Sequence, residues 1–352
     1  MTGSGVFTPA ERAAMARAVE LARTEGVPRG PNPRVGCVLV DADGRTVAEG
    51  YHRGAGTPHA EADALARAGD RARGTTALVT LEPCNHTGRT GPCAQALVAA
   101  GVRRVVFAQA DPNPVASGGA GTLRAAGIDV DSGLLVEEAR AVNEVWTFAV
   151  EHQRPYVTWK FATTLDGRSA AADGTSRWVS SLPARRDTHR LRGLCDAILV
   201  GTGTVLVDDP RLTVRDEHDQ DLPRERQPLR VVMGLRDLPA DRRVLDDAAE
   251  TVHLRTRDPR KVLETLWRSD RLHLFLEGGP TVAAAFLQAG LVDEVVTYVA
   301  PMLLGAGRSA VADLAITTIN DALHLEAVDV TVLGEGADTN VRITSWPRRT
   351  GD

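Results

Sequence analysis

The chain has 352 residues, of which 43% are hydrophobic and 25% are charged, and its formal net charge is -5. This composition is typical of a globular protein, and the length is sufficient for two domains that each bury a core. Acidic and basic residues are intermixed, so no basic patch indicates binding to a nucleic-acid polymer. No run approaches the roughly 18 apolar residues that a membrane span needs.

The cysteine content and the first residues of the chain indicate the cellular compartment of the protein. The start, MTGSGVFTPAERAAM, lacks the apolar segment of an export signal. In such a chain, four cysteines are expected to be metal ligands or core residues and not a disulfide framework. We therefore expect a cytoplasmic protein that does not associate with a membrane.

The first half of the chain alternates predicted helices and strands. Thr8, Pro9 and Glu11 have the types and spacing of a capping box and first turn, which predicts a helix over 8–25. The elements predicted after it are a strand within PNPRVGCVLV (31–40), a strand at 45–52, a helix at 59–68, a strand at 75–81, a helix after Cys93, a strand at 103–109, and helices at 118–126 and 134–152. This alternation predicts an α/β fold with helices packed on a sheet.

A domain boundary is expected near the middle of the chain. Pro155 disfavours helix at Arg154, the residue before it, so the helical stretch should end there. We predict a first domain over residues 1–152 and a second over 153–352. The second half alternates again without repeating the first, and its predicted strands are 156–163, 197–203, 229–234, 251–255, 272–278, 293–301 and 339–346.

Three residues of the first half have the types and positions of a catalytic zinc site. His59 opens a predicted helix, Cys84 follows a strand, and Cys93 opens the next helix. One imidazole and two thiolates leave the fourth tetrahedral position of Zn²⁺ to water, whose pKa then falls to about 7. Glu61 is close enough in sequence to His59 to exchange protons with that water. We therefore predict that His59, Cys84 and Cys93 bind zinc and that Glu61 is the catalytic acid and base.

Two other interpretations of these residues stay open at the level of the sequence. One is a structural zinc site without activity, which would recruit a fourth protein ligand from Cys37, His52 or His86. The other is a zinc enzyme that removes an amine from a base, such as that of a free nucleoside or a tRNA adenosine, with a second half that only binds nucleotide. The acidic balance of the chain disfavours the tRNA version. Cys37 lies in the apolar run VGCVLV and is expected to be a buried core residue.

The zinc-binding pattern resembles the H-x-E … P-C-x-x-C signature of zinc nucleobase deaminases, although Cys84 and Cys93 have a longer gap between them. That gap lies in LEPCNHTGRTGPC (81–93). Together with PNPRVG, YHRGAG and DPNP, it is similar to the deaminase domain of the bifunctional riboflavin-biosynthesis deaminase/reductase family. The resemblance extends over essentially the whole chain. It implies a cytidine-deaminase-like first domain and a dihydrofolate-reductase-like second domain that uses NADPH.

The same resemblance implies how the first domain binds its substrate, a phosphoribosylamino diaminopyrimidinone. Asn32 and His52 resemble positions that face the substrate beside the zinc. The long loop would add His86, Thr87 and Arg89 as polar contacts. The expected reaction replaces the exocyclic amine of the pyrimidine by water, with Glu61 carrying the protons.

The second half contains three glycine-containing stretches that predict a nucleotide site. They are KFATTLDGRSAAADGTSRWVS (160–180), GTGTVLVDDPRLTVR (201–215) and LEGGPTVAAAFL (276–287). Backbone N–H groups at such turns and helix starts can bind phosphate. GTGTVL lacks the last glycine of the dinucleotide fingerprint, so each stretch is weak evidence alone. Their order and spacing, however, are similar to the reductase domain of the same family.

The resemblance implies which residues form the reductase site. Around the cofactor it places Ala162, Trp178, Thr204, Asp208, Gly278, Gly279, Pro280 and Thr281. Around the substrate it places Lys160, Ser176, Arg192, Leu212, Arg215 and Glu277. Arginine suits a ribose phosphate because a guanidinium can bind two of its oxygens at once. Lys160 and Asp208 are the candidates for polarising or protonating the ribose, and the expected assembly is a homo-oligomer.

Overall fold

The structure, a computed structural model, describes residues 6–86 and 91–348. The chain divides into two compact units, residues 1–153 and residues 154–352. Each unit combines helices with a sheet of its own. None of the helices in the described residues is both long and apolar enough to cross a membrane.

The first unit alternates helices and strands along most of its length. Its elements are α1 (Pro9–Ala22), β1 (Gly36–Val40), β2 (Thr46–Tyr51), α2 (Ala60–Ala68), β3 (Thr76–Leu81), α3 (Cys93–Ala99), β4 (Arg104–Gln109), α4 (Gly119–Ala125), β5 (Asp129–Ser132), α5 (Val136–Val142) and α6 (Glu144–His152). Helix α1 begins with the predicted capping box, in which Thr8 and Glu11 accept hydrogen bonds from each other's backbone N–H groups. The elements predicted from sequence therefore form here in the expected order.

The five strands of the first unit form one mixed sheet. The strand order is β2-β1-β3-β4-β5, with β1 antiparallel to β2 and β3, and with β3, β4 and β5 parallel. Strands β1 and β3 are buried along their whole length, as their continuous apolar runs require. Cys37 lies in β1 and is fully buried, as predicted. The end of β3 and the starts of α2 and α3 supply the side chains described below.

The single helix predicted over 134–152 is wrong, because the structure has two helices there. Asn143 separates α5 from α6, with a φ of -116°. Its side chain accepts a hydrogen bond from the backbone N–H of Arg34 (2.8 Å) and donates one to the Arg34 carbonyl (2.8 Å). A partner far away in sequence therefore interrupts the helix, and the apolar periodicity gives no sign of it.

The second unit contains the remaining elements. They are β6 (Tyr156–Thr164), β7 (Arg168–Ala170), α7 (Leu182–Arg192), β8 (Ala197–Gly201), α8 (Thr202–Asp208), β9 (Leu229–Met233), β10 (Thr251–Leu254), α9 (Pro259–Arg268), β11 (His273–Leu276), α10 (Pro280–Gln288), β12 (Glu294–Ala300), β13 (Arg308–Ser309), β14 (Leu325–Leu333) and β15 (Asn340–Pro347). Helices α8 and α9 and strands β5, β7, β13 and β14 lie outside the elements predicted from sequence. Strand β14 is mostly exposed and is defined by its pairing with β15, so no burial pattern marks it.

The larger sheet of the second unit has the order β10-β9-β8-β11-β6-β12-β15-β14. Its strands are parallel from β10 to β12, while β15 and β14 are antiparallel additions. In parallel strands the carboxyl ends meet at one edge of the sheet, which is where α/β folds place their ligands. The cavities of the second unit lie at that edge.

Candidate active sites

His59, Cys84 and Cys93 converge in the first unit. His59 caps the N-terminus of α2, Cys84 follows β3, and Cys93 is the first residue of α3. The His59 Nδ1 atom lies 3.6 Å from Cys84 Sγ and 3.3 Å from Cys93 Sγ. The backbone N–H of Cys93 points at Cys84 Sγ (3.5 Å), and hydrogen bonds from Cys93 and His59 lower the pKa of the Cys84 thiol.

These distances fit a zinc ion. A tetrahedral Zn²⁺ with Zn–S of about 2.3 Å and Zn–N of about 2.0 Å separates sulfur from nitrogen by roughly 3.5 Å. The two measured separations, 3.3 and 3.6 Å, bracket that value. Within residues 6–86 and 91–348, this cluster contains three potential ligands. Such a set leaves one position for a non-protein ligand, as in catalytic zinc sites.

Glu61 lies on the first turn of α2, beside the cluster. The residue is 3% exposed, and burial raises the pKa of its carboxyl group to about 7. It lines a cavity of about 190 Å³ together with His59 and Cys84. A carboxyl group that is buried beside a metal cluster and opens into a cavity is a suitable proton carrier.

Asn32 and His52 lie in the wall of the same cavity and contact each other. The carbonyl of Pro58 fixes the His52 ring by accepting from its Nδ1 atom (3.0 Å). The other ring nitrogen, Nε2, therefore accepts from Asn32 Nδ2 (3.2 Å). Burial lowers the pKa of His52, which favours this neutral form. The pair presents uncharged polar groups to whatever occupies the cavity.

His86 also lines the cavity. Its Nδ1 atom is buried and has no hydrogen-bond partner among the residues that the structure describes. Such a group is costly in the absence of a ligand, so it supports the predicted polar contact. Thr87 and Arg89, the other predicted contacts from this loop, lie outside the described residues.

Three polar residues of the cavity were not among the predicted site residues. Asp111 and Asn113 follow β4, and Glu82 follows β3. Glu82 accepts hydrogen bonds from the backbone N–H groups of Ala120 (3.0 Å) and Asp111 (3.4 Å). Burial raises the pKa of Asp111 to about 6. The motif DPNP (111–114) was the sequence signal that could have identified two of them.

The second unit has a cavity of about 700 Å³ that we call the arginine cavity, lined by Arg185, Arg192, Arg215, Lys160 and Glu277 among others. Arg192 Nη2 donates to Glu277 Oε2 (3.0 Å), and its Nη1 donates to the Thr213 carbonyl (2.9 Å). Burial by itself would raise the pKa of Glu277, but Arg192 and Lys160 hold it below the usual value. Burial lowers the pKa of Lys160.

The other predicted substrate residues divide between the cavity and the surface. Leu212 and Arg215 line the arginine cavity, as does Trp178, which the sequence assigned to the cofactor. Trp178 is 64% exposed, with the Arg185 guanidinium 4.3 Å from its ring centre. Ser176 lies on an exposed turn and does not belong to the described lining of the cavity.

A second cavity of about 1220 Å³ lies beside the first, and we call it the glycine cavity because Gly201, Gly203, Gly234 and Gly279 line it. Thr204, Pro280 and Thr281 line it too, and Asp208 belongs to both cavities. Three predicted cofactor residues are not in its described lining, and one of them, Trp178, lines the arginine cavity instead. Gly278 lies against Val282, and Ala162 packs beside Tyr298.

Helix α7 brings residues to the arginine cavity that the predicted site did not include. Arg185, Arg186, Thr188 and His189 line it, although among the residues of this helix only Arg192 was predicted. Burial and the nearby Arg192 lower the pKa of His189 to about 4. The arginine-rich sequence of this helix, ARRDTHRLRG, was the available signal.

Comparison with known families identifies both halves of the chain. The family of the RibD C-terminal domain matches residues 155–338. The zinc-binding region of cytidine and deoxycytidylate deaminases matches residues 9–109. The second match begins at residue 155, directly after the point where the structure divides into its two units.

Curated proteins and solved structures resemble the whole chain. The riboflavin biosynthesis protein RibD of Mycobacterium tuberculosis is 52% identical over 306 residues, covering 86% of this chain and 89% of that protein. RibD of Escherichia coli is 44% identical, covering 85% and 90%. The structure of Acinetobacter baumannii RibD has a TM-score of 0.86 at 38% identity, covering 97% of this chain and 99% of that one.

A Thermotoga maritima structure, described as a diaminohydroxyphosphoribosylaminopyrimidine deaminase/5-amino-6-(5-phosphoribosylamino)uracil reductase, has a TM-score of 0.81 at 32% identity. It covers 96% of this chain and 99% of that one. These likenesses extend through the cytidine-deaminase-like and the dihydrofolate-reductase-like halves. The chain therefore belongs to the RibD family of bifunctional riboflavin-biosynthesis enzymes, with a zinc-dependent deaminase followed by an NADPH-dependent reductase.

Proposed function

We propose that residues 1–152 deaminate 2,5-diamino-6-(5-phosphoribosylamino)pyrimidin-4-one and that residues 153–352 reduce the ribosyl group of the product. The observation that carries the first step is the convergence of His59, Cys84, Cys93 and Glu61 on one cavity. The second step is supported by the two adjoining cavities of the second unit, which share Asp208.

In the deaminase, His59, Cys84 and Cys93 hold zinc. When bound, zinc supplies a Lewis acid that activates water at neutral pH. Glu61 accepts a proton from the attacking water and delivers it to the pyrimidine ring nitrogen. It then transfers a second proton to the leaving amine, so that water is consumed and ammonia is released. The net change is an amine replaced by a carbonyl.

The cavity walls orient the pyrimidine for this reaction. Asn32 and the neutral His52 form a fixed hydrogen-bonding pair beside the metal ligands. The buried Nδ1 atom of His86 is available to a substrate polar group. With Arg89, these residues are the proposed contacts of the substrate. Because a cavity of about 190 Å³ corresponds to roughly six water molecules, it suits one pyrimidine ring.

In the reductase, the glycine cavity binds NADPH and the arginine cavity binds the substrate. When bound, NADPH would supply the hydride that the ribosyl carbon needs, and residues of the arginine cavity would hold the substrate while its ring oxygen takes a proton. The cofactor contacts are Thr204, Asp208, Gly279, Pro280 and Thr281 in the cavity, with Ala162, Trp178 and Gly278 nearby. The substrate contacts are Ser176, Arg192, Leu212, Arg215 and Glu277.

Lys160 is the proposed group that polarises or protonates the ribose, assisted by Asp208. Its ammonium group lies 5.3 Å from the centre of the Tyr298 ring and near Glu277. Since burial lowers its pKa, the proton is easier to transfer than from an exposed lysine. We further propose that the enzyme is a cytoplasmic homo-oligomer, the state that the family resemblance implies.

Replacing Glu61 with glutamine tests the assignment of the two steps. The variant keeps the shape of the side chain but cannot carry a proton, so we expect ammonia release to fall by at least about 100-fold. Zinc content and NADPH oxidation with substrate that is already deaminated should be unchanged. Glu277→Gln is the reciprocal variant and should lose the reductase step alone. Retained ammonia release in Glu61→Gln, or loss of both activities in either variant, would contradict the proposal.

A further inference from the structure

Three arginines, Arg236, Arg257 and Arg308, line the glycine cavity without an assigned role, and two of them follow neighbouring strands of the large sheet. Arg236 follows β9 and Arg257 follows β10, and both side chains are exposed. Neither guanidinium has a hydrogen-bond or ion-pair partner among residues 6–86 and 91–348. Two positive charges without counter-ions at one end of a ligand cavity indicate that the ligand supplies negative charge there.

The nearest acidic side chain on the same loop does not neutralise them. Asp237 is in an ion pair with Arg255, which leaves Arg236 and Arg257 as the unpaired charges at this end. Arg236 also lies over the first turn of α8, which contains Gly203. Its Nη2 atom is 3.0 Å from the point that a β-carbon at Gly203 would occupy. A guanidinium therefore closes over the part of the cavity where Thr204 contributes to the wall.

The strand order shows which end of the cofactor meets these arginines. The hydride-donating end must lie next to the substrate, and Asp208 is where the two cavities adjoin. Lys160 and Glu277, in the arginine cavity, come from β6 and from the end of β11. Strands β9 and β10 lie on the other side of β8 from β11 and β6. Arg236 and Arg257 are therefore at the adenosine end.

We propose that Arg236 and Arg257 bind the 2′-phosphate of the adenosine ribose and so determine the preference for NADPH over NADH. The two cofactors differ only in that phosphate, and arginine binds phosphate oxygens in pairs. In NADP-binding α/β proteins an arginine accommodates the 2′-phosphate, whereas in NAD-binding ones an acidic residue binds the free 2′-hydroxyl. The inference rests on the proposed location of NADPH in the glycine cavity.

Equilibrium binding measures directly how much Arg236 and Arg257 contribute to the preference for NADPH over NADH. NADPH, NADH, 2′,5′-ADP and 5′-AMP are titrated by calorimetry into the full-length enzyme and into Arg236→Ser, Arg257→Ser and the double variant. We expect the double variant to bind NADPH and 2′,5′-ADP about 100-fold more weakly, as the loss of two charge-assisted contacts implies. Its affinity for NADH and 5′-AMP should stay within about 3-fold. Both arginines are exposed, so the variants should fold normally, which their thermal unfolding will show.

Two control variants define the result. Arg260→Ser removes an exposed arginine on the first turn of α9 that does not line the cavity, and it should bind all four ligands as the unchanged enzyme does. Arg308→Ser removes the other arginine of the cavity, which comes from β13. Loss of the NADPH preference in Arg308→Ser, with the preference retained in the double variant, would overturn the proposal.

A third variant separates this inference from the proposed cofactor site. Thr204→Trp places a large side chain in the middle of the glycine cavity and should weaken NADPH and NADH together. If it binds both cofactors normally, the proposed site itself is wrong. If it blocks both while the double arginine variant keeps its ratio of NADPH to NADH affinity, the site stands and only the role of Arg236 and Arg257 is refuted.

Discussion

At the scale of single residues, both sites depend on side chains whose charge state is set by their surroundings. Lys160 and Glu277 contribute opposite charges to the arginine cavity, and Arg192 binds Glu277 in two places. Asn32 and the Pro58 carbonyl hold His52 in one neutral tautomer. In each case burial and neighbouring groups set the charge state, so the residue type alone does not.

His189 provides a test of such a shift by pH. Its folded pKa is about 4, because burial and Arg192 oppose its charge, whereas an unfolded chain binds the proton near pH 6.5. Between these values the unfolded state binds more protons, so stability falls as the pH is lowered from about 6.5 toward 4. We expect a loss on the order of 1–2 kcal/mol, reduced from the full shift because the ring is partly exposed to solvent.

The measurement compares urea unfolding of the enzyme and of His189→Gln across pH 4.5 to 7, a window taken from that shift. The variant should show a smaller loss of unfolding free energy on acidification. His218→Gln is the matched control, since His218 is exposed on a loop of the same unit. An identical pH dependence in the enzyme and in His189→Gln would show that this histidine is not buried in its neutral form.

At the scale of elements, the deaminase site depends on how closely α2 packs on the sheet. Strand β2 has a glycine, Gly50, where the helix crosses it. A β-carbon there would lie 2.3 Å from the Ala60 carbonyl oxygen and 2.4 Å from the Ala64 nitrogen. Because α2 carries Glu61 and is capped by His59, the absence of a side chain on the strand determines the position of two functional residues.

Gly50→Ala should therefore damage the site from a distance. The added methyl group must push α2 outward, which we expect to cost about 1–3 kcal/mol of stability and to lower zinc affinity and ammonia release. Reductase activity should be unaffected. Gly121→Ala is the control, because that glycine is inside α4 with no atom within 4 Å of the added carbon. Zinc affinity is measured by competition with a chelating dye, and an unchanged value in Gly50→Ala would contradict this explanation.

In the second unit, the position of helix α7 on the sheet likewise determines where functional residues lie. Asp187 accepts hydrogen bonds from the Tyr298 hydroxyl on β12 (2.7 Å) and from Arg342 on β15 (2.9 Å). The ring of Tyr298 in turn lies under the Lys160 ammonium group. The helix that brings Arg192 and His189 to the cavity is thus attached to the strands beside the proposed proton donor.

At the scale of the whole molecule, each unit has a buried core and a site of its own. A ligand that binds one folded unit stabilises that unit by mass action, by about 2.7 kcal/mol at 100 times its dissociation constant. We therefore expect two thermal transitions in calorimetry. Removing zinc with a chelator should lower one of them and abolish ammonia release. Adding NADPH should raise the other, and a shift of both transitions by either ligand would show that the units unfold together.

Family membership decides between the interpretations that the sequence left open. A zinc-stabilised scaffold without activity is wrong, and so is a second half that only binds nucleotide, because the chain belongs to a family with both activities. The structure also disagrees with the scaffold interpretation, which required a fourth protein ligand for zinc. In the part of the chain that it describes, Cys37, His52 and His86 are not members of the three-residue metal cluster.

The sequence by itself determined the chemistry that is local in the chain. His59 is two residues from Glu61, and Cys84 and Cys93 lie at the two ends of one loop, so the metal ligands and the proton carrier come from short segments of the chain. The glycine-containing stretches follow strands directly. Only the tertiary structure decided which distant residues join them, such as Glu82 and Asp111 in one cavity or His189 and Arg236 at the others. The physical reason is that a sheet brings the ends of its strands together in an order unrelated to the sequence. A residue's neighbours, burial and pKa then follow from that order.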